Sequence, residues 1–121
     1  MIHKITIEFH IVKDTATFDL ASAAGALTTS TPYRQWIVDS VEIKATGSLV
    51  GQTFTLDRDD GNGATYDSGL YDSGALGAVT TVFYAPTGRH IIEKDDELVV
   101  GLTHSGTPAV TGTISVRGHE V

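Results

Sequence analysis

Hydrophobic and polar residues alternate along most of this chain with a period of two, the pattern of strands that bury one face. Ile5, Ile7, Phe9 and Ile11 interleave with Lys4, Thr6, Glu8 and His10. A first strand over 2–12 follows, long enough that its uncovered edge invites pairing with a neighbouring subunit. Lys13-Asp14 reads as a turn, after which Ala16, Phe18 and Leu20 share a face. The alanine-containing stretch 21–31 reads as a long loop, because Gly25 and the run Thr28-Thr29-Ser30-Thr31-Pro32 disfavour a helix.

From Trp36 to Thr46 the apolar parity changes. Trp36 and Val38 lie on one phase and Val41, Ile43 and Ala45 on the other, which points to a β-bulge around Asp39-Ser40 or to a strand buried on both faces. Phe54 and Leu56 point inward from the next strand, followed by the turn-rich run Asp57-Arg58-Asp59-Asp60-Gly61-Asn62-Gly63. Strands are expected over 64–71, 78–85 and 97–103. A last inward row contains Val110, Ile114 and Val116, with Gly112 at a close approach or bulge.

About eight strands with turn signals between them predict an all-β domain, an antiparallel β-sandwich that is jelly-roll-like, and a Greek-key sandwich of another connectivity fits almost as well. Its 121 residues suffice for one domain, 1–121, and not for two. Cysteine is absent, so neither disulfides nor thiolate metal sites contribute. The segment 1–12 is too interrupted by polar residues for a signal peptide, and no run approaches the length of a membrane helix.

Fifteen Asp and Glu stand against eight Lys and Arg, and the cations are scattered singly. This balance argues against nucleic acid or an anionic membrane as a partner. No nucleophile motif occurs, and His3, His10, His90, His104 and His119 lack metal-ligand spacing. No catalytic residue, cofactor or enzymatic activity is therefore expected. Asp57, Asp59, Asp60 and Asn62 carry the hard oxygens that calcium prefers, although glycine falls at the wrong loop position for an EF-hand. A solvated hairpin turn is the simpler reading of those four. Glu93, Asp95, Asp96 and Glu97 likewise read as a solvated turn, not as the paired carboxylates of a glycosidase.

Phe9, Phe18, Trp36, Phe54 and Phe83 are assigned to the core. Tyr33, Tyr66, Tyr71 and Tyr84 fall near strand ends, where exposed rings contact sugars or proteins and more often cap the core.

Three segments carry a resemblance: Phe54-Thr55-Leu56-Asp57-Arg58-Asp59-Asp60-Gly61, Phe83-Tyr84-Ala85-Pro86-Thr87-Gly88-Arg89, and Lys94-Asp95-Asp96-Glu97-Leu98-Val99-Val100. In texture they resemble small bacteriophage virion proteins, in particular head decoration (capsid cement) proteins. The resemblance covers about half of the chain and transfers no functional residue. It implies a homotrimer, made in the host cytoplasm, that binds the major capsid protein lattice on the virion surface. The alternatives are a carbohydrate- or receptor-binding module and a phage tail or baseplate component.

Overall fold

The computed structural model describes residues 11–30, 34–61 and 68–121. Within them the chain forms nine strands and no helix: β1 (Ile11–Asp19), β2 (Gly25–Ser30), β3 (Trp36–Ala45), β4 (Thr53–Asp59), β5 (Ser68–Ala75), β6 (Thr81–Tyr84), β7 (Ile91–Ile92), β8 (Glu97–Leu102) and β9 (Thr111–Glu120).

The strands lie in two antiparallel sheets. Sheet A has the order β1-β9-β3-β6, with the short β7 also pairing with β3; sheet B has the order β2-β8-β4-β5. The pairs β1·β9, β2·β8, β3·β6 and β4·β5 are those obtained by folding one long antiparallel ribbon over on itself. This is the jelly roll, so the sandwich expected from the alternation has that topology.

Between the sheets lie Phe18, Leu20, Leu27, Trp36, Val38, Val41, Ile43, Leu49, Phe54, Leu56, Ile92, Leu98, Val100, Leu102, Val110, Ile114 and Val116. The central strand β9 lines this core with a small-large-large-small row, Gly112, Ile114, Val116 and Gly118. The Phe18 ring seats on Gly112, where an added Cβ would lie 2.6 Å from its Cζ. Trp36 seats on Gly118 in the same way, with 2.6 Å to its Cε3. The expected close approach at Gly112 is thus real, and its purpose is to admit an aromatic ring. The Trp36 Nε1 is buried without a hydrogen-bond partner, so its ring is held there by packing.

The bulge falls where the parity change places it. Val38 pairs with Gly118 and Ser40 with Arg117, which leaves Asp39 as the extra residue of β3.

Three expectations are corrected. No turn occurs at Lys13-Asp14; β1 runs through it in register with β9. Asp14 lies on the inward parity of this edge strand, and its carboxylate accepts bonds from Thr29 Oγ1 at 3.1 Å and Thr15 N at 2.9 Å. Second, the supposed loop 21–31 contains β2. Gly25, Leu27 and Thr29 are its buried positions, and only one of them is strongly apolar. Third, Phe83 is not in the core. The β6 parity turns Val82 and Tyr84 inward and leaves Phe83 64% exposed. The proposed strand over 2–12 lies outside the described residues apart from its last two positions, as does Phe9. For the strand expected over 64–71, the described part belongs to β5, which continues to Ala75.

The turn before β8 is closed by Asp96 N donating to Glu93 O at 3.0 Å, and Asp95 takes the left-handed conformation at φ 69°. That position favours glycine. Asp95→Gly is expected to raise stability by about 0.5 kcal/mol, since relief of left-handed strain exceeds the added unfolded-chain entropy. A urea midpoint below that of the parent would contradict this.

Candidate functional site

Three surfaces bring chemistry-bearing side chains together. The first is the outer face of sheet A. Alternation along β1, β9, β3 and β6 sends one parity of each strand outward, and the register aligns them in rows. Lys13, Arg117 and Ser40 form one row; Thr15, Ser115, Glu42 and Phe83 form the next. Together they line an open trough of about 500 Å³. Thr15 and Ser115 hydroxyls lie 3.4 Å apart, and the Glu42 carboxylate leans toward Lys44 at 3.5 Å. Beyond the basic row, the bulge projects Asp39 against His119, whose Nδ1 lies 2.9 Å from Oδ2.

The second surface is the end of the sandwich where the β1–β2, β3–β4, β5–β6 and β8–β9 connections meet. Leu49 N donates to Val79 O at 2.8 Å, and Gly51 N to Leu76 O at 2.9 Å. Gln52, only 1% exposed, ties a third connection to these: its Nε2 donates to Ser105 O at 2.6 Å. Its Oε1 accepts from Thr103 Oγ1 at 3.2 Å. On this bonded scaffold Val50 and Val79 are 59% and 40% exposed.

The third is an aromatic cluster where β5 and β6 close one side of the sandwich. Tyr71 and Tyr84 stack at 4.1 Å with 26° between planes, and both contact Phe54. Tyr84 Oη is hydrogen-bonded to His90 Nε2 at 2.8 Å. The tyrosine faces are spent largely on each other, so this pair caps the core and does not form a side-by-side platform. Burial, reinforced by Tyr71, pushes the Tyr84 phenol up from its ordinary value. Burial also holds His90 below its usual range.

His90 therefore favours its neutral form in the folded chain. Its contribution to stability is complete above about pH 6.5, the unfolded value. It is lost as pH falls through the lower folded value, because the unfolded chain takes the proton first. His90→Gln keeps a partner for Tyr84 and removes that titration. The difference in thermal midpoint between parent and H90Q is expected to be flat above pH 7 and to shift against the parent below about pH 6.5. Parallel profiles down to pH 5 would contradict it.

The acidic candidates are placed differently. Asp57 and Asp59 lie on β4, and Asp59 Oδ1 accepts a bond from Gly61 N at 2.8 Å, which is turn chemistry. Among the described residues no group of three or more His, Asp or Glu side chains could share a metal ion, and this holds for Asp57, Asp59 and Asp60. Asn62 lies outside the described residues, as do His3, His10, Tyr33 and Tyr66. The Glu93 to Asp96 segment is the turn already described.

Neither the trough nor the bonded loop end was anticipated from the sequence. The only signal for the trough was Phe83 itself, whose parity in Thr-Val-Phe-Tyr is ambiguous until the partner strand is known.

No family model matches the sequence, and no curated protein does. Among solved structures, the crystal structure of PirA is similar at a TM-score of 0.45 and 15% identity, covering 98% of this chain and 100% of that one.

Proposed function

We propose that the protein is a virion structural protein, a decoration subunit that binds the assembled bacteriophage head and strengthens it. The observation that carries this reading is the loop end. Three connections are locked together by backbone bonds and the buried Gln52, and they present Val50 and Val79 to solvent. A surface already ordered before contact forgoes the entropic cost of ordering loops on binding. A jelly roll suits the role because its sheets hold the loop ends rigidly, and the chain's sequence resembles that class of virion protein. Binding only the assembled lattice of major capsid protein stabilises that lattice by mass action. In this reading the subunit works as a homotrimer on the head surface, after synthesis in the host cytoplasm, without catalysis.

The test mixes purified protein with expanded shells that lack it. Saturable binding, trimeric density on the shell, and about tenfold weaker binding by the V50D/V79D double variant are expected. Absence of saturable binding to every shell tested, with the protein folded, would sink the proposal.

A further inference from the structure

We propose that the outer face of sheet A is a binding site for an acidic saccharide, on a surface other than the loop end and independent of the capsid reading. Lys13 and Arg117 stand directly opposite each other across the β1–β9 pair, both outward and exposed. Like charges at such a position destabilise a sheet. Neither makes an ion pair or hydrogen bond with another described residue. In a chain with fifteen acidic side chains, an uncompensated basic pair is a local conflict of the kind that marks a functional site. Two acidic residues line the trough: Asp14, on the inward parity, has its carboxylate bonded to Thr29 Oγ1, and the outward Glu42 is engaged with Lys44 on the following row.

What surrounds the pair narrows the ligand. Thr15, Ser115 and Ser40 offer hydroxyls along one bank of the trough, Glu42 offers acceptors, and Phe83 stands exposed on the other bank. Strand spacing and rise place Phe83 about 12 Å from Arg117, two strands and two residues away. That is about the span of two pyranose rings. A carboxylate or sulfate would sit on Lys13 and Arg117 through charge-assisted bonds. Ring hydroxyls would meet the Ser, Thr and Glu42 oxygens, and the apolar face of a second ring would lie on Phe83. A nucleic acid would want a longer track of cations than one pair. An acidic peptide would want apolar anchors beyond the single phenylalanine.

The experiment is an NMR titration at low salt with four probes: 3′-sialyllactose, a chondroitin sulfate tetrasaccharide, lactose and inorganic phosphate. At least one acidic saccharide is expected to bind, shifting the resonances of Lys13, Arg117 and Phe83, with lactose at least about tenfold weaker. The first two probes distinguish a ligand with a single carboxylate from one that carries sulfate as well as carboxylates. R117Q and K13Q are each expected to weaken that binding about tenfold. F83A is expected to weaken it about fivefold without changing its salt dependence. Because R117Q relieves a like-charge pair, its thermal midpoint should not fall, so lost binding cannot be lost folding. The proposal is overturned if neither acidic saccharide binds, or if binding survives R117Q and F83A unchanged. It is equally overturned if phosphate binds as tightly as the saccharides, which would leave a plain anion site.

Discussion

Gly118→Ala is expected to lower stability by about 3 kcal/mol, the upper part of the range for overpacking. The methyl would meet the carbonyl oxygen of Ile37 and the six-membered ring of Trp36, whose Cε3 would lie 2.6 Å away. Neither neighbour can withdraw. Ile37 belongs to the adjacent strand of the same sheet, and Trp36 is wholly buried. β9 itself cannot slide, because β1 and β3 hold it from both sides. Gly77→Ala is the control, since its new methyl would have nothing within 4 Å; a change within about 0.5 kcal/mol is expected there. Urea unfolding of both variants decides the matter, and a G118A midpoint equal to the parent's would refute the seating of Trp36 on this glycine.

Gln52→Leu is expected to cost about 2 kcal/mol, although leucine is of similar size and the site is buried. The amide reaches Ser105 O and Thr103 Oγ1 together, and no other side chain among the described residues does so. Leucine would leave that carbonyl and hydroxyl facing an apolar group. The Gln52 backbone would still accept from Leu76 N at 2.8 Å and donate to Leu49 O at 3.0 Å. The damage should therefore concentrate in the 103–107 connection. Faster amide exchange or proteolysis there, with β8 and β9 protected, is the expected pattern. Uniform loss of protection across the sandwich would show that Gln52 supports the whole fold. If the loop end is the capsid contact, Q52L should also bind shells less tightly than the parent.

The fold was legible wherever a strand alternates strongly apolar with polar residues. β3, β4, β8 and β9 read directly, and the parity change in β3 pointed to the Asp39-Ser40 pair, where the register shift between Val38 and Ser40 places the bulge. β2 was hidden because a glycine and a threonine fill two of its inward positions, so burial there owes more to sheet order than to side-chain character. β1 was cut short because a Lys-Asp pair resembles a turn, whereas at a sheet edge one charge can face out and the other find a hydroxyl across the sandwich. The trough was least legible. Its residues come from β1, β3, β6 and β9, and their adjacency depends on a strand order that periodicity does not encode. The acidic run 57–62 drew attention by composition alone; in the fold, Asp59 spends its carboxylate on a turn amide.

The position of β9 also bears on how the chain folds as it is made. Sheet A pairs residues a hundred positions apart, as where Thr15 meets Ser115. β9 is synthesised after the other eight strands, yet it lies between β1 and β3. Until residues 111–120 emerge, β1 and β3 have no common neighbour, and Trp36 and Phe18 lack the glycines that receive them. Sheet B has its four strands earlier, but its apolar face would stay uncovered meanwhile. Such non-local closure predicts slow refolding, in milliseconds to seconds. It also predicts that a nascent chain stalled before Thr111 is protease-sensitive along its whole length.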